Sequence, residues 1–291
     1  MLHTIENDQL TCTISSTGAE IRSLKEKETG KEHIWQIDAS VWGSSSPVLF
    51  PAIGKIKDDK IIYKGQEYAM PRHGIIRHND QLVFEQHSAF KCSFTLNSSP
   101  ATLKQYPFEF SFAVMYELVG KSLKMSYVIE NQDEVPMHFA CGGHTAYACP
   151  LTDGKTLKDY VIEFPTSQDL RAQTLGASGL LSNEFRTFEL KNATLPLSNH
   201  LFDRDALILS NIDFEWVRFR ESDKNKGLIV RFEGFPHLAL WSKPGADYVC
   251  IEPWLGLPDS EDESLDIAQK SSYKTIDPAT RFSISIITEI E

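Results

Sequence analysis

The chain has 291 residues, of which 41% are hydrophobic and 24% charged, so it can bury a large core and is not expected to be disordered. Its net charge of −11 argues against nucleic-acid and membrane partners, and its five scattered cysteines contain no C-x-x-C pair, which argues against a disulfide framework. No signal peptide or membrane-spanning apolar run is visible, so we expect a soluble cytoplasmic monomer or homodimer.

Alternation of hydrophobic and polar side chains predicts strands along most of the chain. The clearest run covers residues 108–118, and a turn at 119–122 connects it to a second run at 123–130, which predicts a β-hairpin. Helical periodicity is absent, except that residues 260–269 are predicted to form a short acidic helix. The same alternation predicts further strands at residues 10–15, 32–36, 82–86, 91–96, 228–232, 238–242, 248–251 and 282–288.

Two long stretches, residues 41–77 and 151–198, interrupt this pattern and are rich in Pro, Gly, Ser, Thr and Asn. Loops of this length in a compact protein are commonly functional or contain short strands of their own. No linker divides the sequence, so we predict one all-β domain over residues 1–291, built as an antiparallel sandwich with few short helices.

The central segment 141–150 places a histidine directly behind two glycines. Paired glycines permit a close backbone approach or a positive φ, and here they would give access to a titratable ring. His144 is therefore the first candidate for acid–base chemistry. The alternative is that Gly142 and Gly143 form a strand-end bulge and that His144 is a satisfied core histidine.

A second candidate is Glu252, which follows the hydrophobic residues 248–251 and precedes Pro253 and Trp254. A carboxylate at the end of a hydrophobic strand and beside an indole would be partly desolvated, which raises its pKa and strengthens it as a base. The alternative is a strand-end glutamate that caps backbone amides.

The most basic part of this acidic chain lies between residues 46 and 78. Lys55, His73 and Arg77 are our candidates there for a polar site that binds sugar hydroxyls or one phosphate. The alternative for the lysines is that they are solvated loop charges.

Other chemistries lack their motifs. The histidines and cysteines do not have metal-ligand spacing, so no metal is predicted. G-x-S-x-G, G-x-G-x-x-G and the P-loop are also missing, which argues against a serine hydrolase and a nucleotide cofactor. By elimination, the sequence favours a cofactor-free acid–base site made by His144 and Glu252.

The order of these segments resembles the aldose 1-epimerase (galactose mutarotase-like) superfamily, in particular its branch of shorter, LacX-related proteins. The departures are Lys55 where arginine is commoner, Ile75-Ile76 for Phe-Ala, and Thr145 for proline. A lysine at position 55 offers a point charge instead of a planar fork for hydroxyl recognition. The matching blocks are 47–51 with Gly54-Lys55, 73–77 (H-G-I-I-R), 142–147 (G-G-H-T-A-Y), 205–207 (D-A-L) and 250–256 (C-I-E-P-W-L-G).

The resemblance implies a β-supersandwich of about two dozen strands that interconverts the α and β anomers of an aldohexose or hexose phosphate, without a cofactor. In the family mechanism carried over to this chain, Glu252 takes the proton from the C1 hydroxyl and His144 protonates the ring oxygen. The residues that would orient sugar hydroxyls are His73, Asp205, Lys55 and Arg77.

Two other functions remain open from the sequence. A non-catalytic carbohydrate-binding sandwich would share the fold, because a fold does not determine a function. A glycoside hydrolase would use Asp205 and Glu252 as its two carboxylates, which requires a defined separation that the sequence cannot provide.

Overall fold

The computed structural model describes all residues from 1 to 291 and consists almost entirely of β-strands. No helix in it has the length and hydrophobicity to cross a bilayer. Its helical content is four 3₁₀ turns, Lys57–Asp59, Thr102–Lys104, Leu157–Asp159 and Ile267–Gln269. The strands are β1 Leu2–Glu6, β2 Leu10–Ser15, β3 Ile21–Glu26, β4 Val48–Leu49, β5 Lys60–Tyr63, β6 Gln66–Ala69, β7 Val83–Ser88, β8 Lys91–Asn97, β9 Phe110–Val119, β10 Ser122–Asn131, β11 Met137–Phe139, β12 Cys141–Gly143, β13 Thr145–Ala148, β14 Tyr160–Glu163, β15 Leu170–Leu175, β16 Leu181–Phe188, β17 Thr194–Pro196, β18 Leu207–Ser210, β19 Trp216–Glu221, β20 Leu228–Arg231, β21 His237–Trp241, β22 Tyr248–Leu255, β23 Lys274–Ile276 and β24 Arg281–Ile290.

Two large antiparallel sheets form the body of the molecule. One has nine strands in the order β17-β14-β19-β20-β24-β10-β9-β8-β7. The other has eight, in the order β16-β15-β18-β21-β22-β12-β4, with β13 also paired to β22. The main hydrophobic core of 65 buried residues takes side chains from both sheets, such as Phe112 and Tyr127 from the first and Leu240 and Ile251 from the second. The predicted antiparallel β-supersandwich is confirmed.

Alternation along β22 separates a core face from an outer face of the eight-stranded sheet. Val249 and Ile251 belong to the main core, whereas Cys250 and Trp254 belong to two smaller clusters on the opposite face. Glu252 lies two residues from both Cys250 and Trp254 along the strand. Its side chain therefore projects from the same outer face of the sheet. A polar site can therefore be built there without disturbing the packing between the two sheets.

Most of the predicted strands are present. The hairpin is β9 and β10, paired from Phe110 with Asn131 to Val119 with Ser122. The long stretches 41–77 and 151–198 contain short strands, β4 to β6 in the first and β14 to β17 in the second, so this expectation is confirmed.

Two predicted elements are wrong. Residues 32–36 make only isolated bridges, because the Glu32 carboxylate accepts the backbone amides of Leu24 and Ile34 and removes them from a ladder. Residues 260–269 form no helix beyond the 3₁₀ turn at their end. The carbonyls of Glu261 and Glu263 instead accept from the Lys57 ammonium, so they are not free for helical pairing.

Candidate active site

A cleft of about 860 Å³ opens on the outer face of the eight-stranded sheet. It is lined by residues from distant parts of the chain, which the sheet and its loops bring together. Five of the six residues predicted from sequence line it: His73, Arg77, His144, Asp205 and Glu252.

The central feature of the cleft is the pairing of Glu252 with His144 across neighbouring strands. Thr145 pairs with Ile251 and Gly142 with Trp254, and this register puts His144 directly opposite Glu252. Residues opposite each other in an antiparallel pair project from the same face. Nδ1 of His144 accordingly lies 3.3 Å from Oε1 of Glu252, with the two side chains 12% and 1% exposed.

The sequence suggested that Glu252 ends a strand. The residue instead lies in the middle of β22. The strand continues through Pro253 because the neighbouring ladder is already interrupted at His144, between β12 and β13. A proline has no amide hydrogen to leave unpaired at such a position. The carboxylate is thereby held between two neighbouring strands, with Ala239 of β21 on its other side.

The glycines before His144 serve packing within the chain. A Cβ atom on Gly142 would lie 2.7 Å from the Pro253 carbonyl oxygen, and one on Gly143 would lie 2.9 Å from Ile286 Cδ1. Neither glycine has a positive φ. The interpretation that they open a path for a ligand is therefore replaced by a structural one: Gly142 lets β12 approach β22 closely, and Gly143 lets β12 pack against Ile286 of the nine-stranded sheet.

Burial shifts both members of the pair toward their uncharged forms. It lowers the pKa of His144 to about 3, and the Arg77 guanidinium acts in the same direction. It raises the pKa of Glu252 well above its ordinary value, with Asp205 adding to the effect and Arg72 and Arg77 opposing it. The Trp254 indole also acts to lower the pKa of Glu252, although its N–H lies outside hydrogen-bonding geometry to the carboxylate. Between the lowered pKa of His144 and the raised pKa of Glu252, the pair therefore holds one proton.

Two tryptophans enclose the imidazole of His144. Trp42 stacks on it with ring centroids 5.1 Å apart, and Trp241 meets it edge-on at 5.6 Å. Both indoles also line the cleft. They fix the ring orientation so that Nδ1 faces Glu252, which leaves Nε2 as the nitrogen available to a bound molecule.

His73 presents a hydrogen-bond donor to the cleft. Its Nδ1 accepts the backbone N–H of Gly54 at 3.1 Å, so the neutral ring carries its proton on Nε2. Burial lowers its pKa well below the ordinary value, with His144 adding to the shift, and the ring stays neutral. The backbone φ of His73 is 68°, a conformation that non-glycine residues rarely adopt and that is often found at functional sites.

Asp205 shares this backbone feature, with a φ of 70°. Its Oδ1 accepts the amide of Ala206 at 2.8 Å, which leaves Oδ2 free to accept from a ligand. It is exposed, lines the cleft and acts on the pKa of Glu252. Asp205 therefore lies in the cleft, and its role in binding sugar hydroxyls stays a prediction.

Among the basic candidates, the structure brings Arg77 into the cleft but not Lys55. The Lys55 ammonium donates to the Ser178 carbonyl at 3.0 Å, and Lys55 is not among the lining residues. Arg72 lines the cleft instead and contributes to the pKa values of His73, His144 and Glu252. The only hint in the sequence that Arg72 lines the cleft was its position next to His73. The charge of a loop residue does not reveal where its side chain points.

Sequence reasoning also missed much of the aromatic and charged lining of the cleft. Nothing in the local pattern around these residues distinguishes them from core or surface positions, because loops and strands far apart in the chain supply them. They include Trp42, Trp241, Phe202, Glu184, Asp203 and Arg204.

Comparison with known proteins identifies the family. The aldose 1-epimerase family model matches residues 1–261. The chain belongs to the aldose 1-epimerase family. The plasmid-encoded protein LacX of Lactococcus lactis is 31% identical over 283 residues, which cover 94% of each chain, and the chromosomal LacX is equally similar.

Solved structures agree with this assignment. The galactose mutarotase related enzyme from Lactobacillus acidophilus is 31% identical with a TM-score of 0.94, covering 100% of this chain and 97% of that one. A galactose mutarotase-like protein from Lactobacillus casei is 28% identical with a TM-score of 0.91, and each chain is covered completely. Membership of the aldose 1-epimerase family makes this chain an isomerase with a mutarotase or epimerase role.

Proposed function

We propose that this aldose 1-epimerase family member interconverts the α and β anomers of an aldohexose, with Glu252 as the base at O1 and His144 as the acid at the ring oxygen O5. The observation that carries the proposal is the 3.3 Å approach of the carboxylate and the imidazole in a cleft. An acid and a base are needed at two adjacent oxygens of one carbon, and this pair supplies them side by side.

The reaction needs no group beyond these two. Glu252 removes the proton from the O1 hydroxyl, the C1–O5 bond breaks with its electrons going to O5, and His144 donates its proton to O5. The product is the open-chain aldehyde. Rotation about C1–C2 and reclosure, in which His144 takes the proton back and Glu252 returns its own, give the other anomer.

The proton count of the pair is the same throughout this cycle. Ring opening starts from ionised Glu252 and protonated His144, and it ends with both groups neutral. The neutral pair that burial favours is thus the form that closes the open-chain sugar. Closure returns the pair to ionised Glu252 and protonated His144, and an empty site in the neutral form reaches that state by transfer of one proton from Glu252 to His144, with no exchange with solvent.

Groups around the pair are suited to sugar hydroxyls. His73 offers an Nε2–H donor, Asp205 offers a free carboxylate oxygen, and Arg72 and Arg77 offer charged donors. Trp42 and Trp241 add apolar surface of the kind that lines small-molecule sites. Lys55 is left out of this set because its ammonium is engaged elsewhere.

The charge balance of the cleft favours an unphosphorylated sugar. Its arginines at 72, 77 and 204 are matched by carboxylates at 184, 203, 205 and 252. Arg77 is also close enough to buried Glu20 for that carboxylate to counteract the lowering of its pKa. A phosphate dianion would meet these acidic neighbours, whereas a neutral hydroxyl can use both kinds of group.

We expect the purified protein to accelerate the mutarotation of freshly dissolved α-glucose or α-galactose, followed by polarimetry. Glucose 6-phosphate should be a poorer substrate than the free sugar, for the charge reason above. EDTA should not lower the rate, because the acid and the base are both side chains. Loss of activity in chelator with recovery on adding a divalent ion, or a strong preference for the phosphate ester, would contradict this proposal.

The pH dependence of kcat/KM should reflect the coupled pair. His144 has a pKa lowered to about 3, so the acid limb should lie well below the ordinary value of about 6.5. As pH falls through this lower range the pair gains a second proton and Glu252 can no longer act as base. The alkaline limb appears as the pair loses its only proton, above the ordinary range of a glutamate.

After subtraction of the uncatalysed rate, kcat/KM should therefore be nearly constant between the lowered pKa of His144 and the raised pKa of Glu252, with no inflection at the ordinary histidine value. An inflection near pH 6.5 that disappears on replacing His144 would show instead that this histidine titrates as an ordinary solvated one.

A further inference from the structure

One more reactive side chain, which the proposed reaction does not use, is buried beside the Glu252–His144 pair and does not itself line the cleft. Cys250 lies two residues before Glu252 on β22 and projects from the same face. Its thiol, one imidazole nitrogen of His144 and a carboxylate oxygen of Glu252 all lie within 4.8 Å of one another. Spacing along the sequence did not predict this group, because His144 comes from a different strand.

Two atoms of this group are buried without a hydrogen-bond partner. They are Nδ1 of His144 and Oε2 of Glu252. Buried polar atoms are rarely left unpaired, so an orphaned nitrogen and an orphaned oxygen in one cluster point to a ligand between them. Both atoms are electron-pair donors, and a cation satisfies donors of this kind together with a thiolate.

From this geometry we infer that Cys250, His144 and Glu252 form a binding site for a thiophilic divalent cation such as Zn²⁺, and that the bound cation inhibits the epimerase site. Tetrahedral Zn²⁺ with bonds of about 2.0–2.3 Å separates its ligand atoms by roughly 3.3–3.7 Å. The His144 Nδ1 to Glu252 Oε1 distance of 3.3 Å already fits. The thiol lies within 4.8 Å of the other two ligand atoms and has to approach them by about 1 Å or less.

Charge and proton balance favour the bound state. The empty group is neutral, with a thiol and one proton on the Glu252–His144 pair. Binding of M²⁺ releases these two protons to solvent and leaves a thiolate and a carboxylate, so the sum of charges is again zero. No uncompensated charge is buried, which is the usual obstacle to placing an ion in such a site. Affinity should rise with pH, since protons compete with the metal.

Inhibition follows because the cation occupies the groups that move protons. A metal-bound Glu252 carboxylate cannot take the proton from O1, and a metal on Nδ1 prevents His144 from forming the imidazolium that donates to O5 through Nε2. The inhibitory effect rests on the proposed function, whereas metal binding itself does not.

The test is titration of the full-length, reduced protein with Co²⁺ as a spectroscopic substitute for Zn²⁺. We expect a thiolate-to-cobalt charge-transfer band and visible bands typical of tetrahedral coordination, both abolished by excess Zn²⁺. Cys250→Ala should remove the charge-transfer band and weaken binding by more than about 100-fold, since even the loss of an outer partner of a metal ligand costs 10–100-fold. Cys141→Ala is the matched control, because Cys141 is equally buried on the adjacent strand but belongs to the main core.

Activity gives the second measurement. Zn²⁺ should inhibit mutarotation by the wild type and by Cys141→Ala, and EDTA should reverse it, whereas Cys250→Ala and Cys250→Ser should resist inhibition when each is compared with its own metal-free rate. A charge-transfer band that persists without Cys250, or no cobalt binding by the folded wild type, overturns the inference. A band in a protein that does not accelerate mutarotation would instead refute the proposed function and leave the metal site standing.

Discussion

Glu252→Gln should lower kcat for mutarotation by about 10²–10⁴-fold, the usual contribution of a positioned general base. Glutamine preserves the shape of the side chain and some hydrogen bonding but cannot accept the O1 proton. The protein should remain folded, because burial of Glu252 disfavours its charge and the neutral amide removes that cost. The measurement is polarimetry at saturating sugar, together with a urea unfolding curve.

A suitable control is Glu26→Gln, which alters another buried glutamate. Glu26 forms an ion pair with Lys121 and accepts a hydrogen bond from Thr29, away from the cleft. Its replacement should change stability and leave kcat close to that of the wild type. If Glu252→Gln kept near wild-type kcat while folded, the carboxylate would not be the base, and a carbohydrate-binding role would be favoured.

His144→Asn should reduce kcat by a similar 10²–10⁴-fold, because the O5 acid is then missing. The double variant with Glu252→Gln should lose less than the product of the two single effects, since both groups act on one transition state. Single-turnover or initial-rate polarimetry of the three variants provides the comparison. Multiplicative losses would indicate that the two side chains act independently.

The matched control is His237→Asn on the neighbouring strand β21. His237 is buried on the same face of the sheet, burial lowers its pKa to about 4, and its Nδ1 accepts the Asn211 amide at 3.1 Å. It does not line the cleft. Its replacement should cost stability and leave kcat nearly unchanged, which is also how His144 would behave if it were only a core histidine.

The local patterns of the sequence determined which segments are strands. Alternation along β9, β10 and β24 is strong, because each of these strands has one face in the core, and burial of every second side chain is a property of the segment itself. The family resemblance then identified both members of the pair, since Gly142-Gly143-His144 and Glu252-Pro253-Trp254 are contiguous blocks.

Where a prediction from the sequence differs from the structure, a contact between residues distant in the chain is the reason. Residues 32–36 alternate as a strand would, yet the Glu32 carboxylate captures the amides that a ladder needs. Lys55 and Arg72 are both basic loop residues, and only the folded chain places Ser178 where it takes the Lys55 ammonium. Arg72 is left to line the cleft.

The register between strands is the feature that only the tertiary structure could provide. His144 and Glu252 are more than a hundred residues apart, and no local propensity determines which residue of β13 faces which residue of β22. Close packing of Gly142 against Pro253 and Trp254 accompanies this register in the folded chain. That register places the imidazole, the carboxylate and the Cys250 thiol in one cluster, because side chains on one face of paired strands must lie side by side.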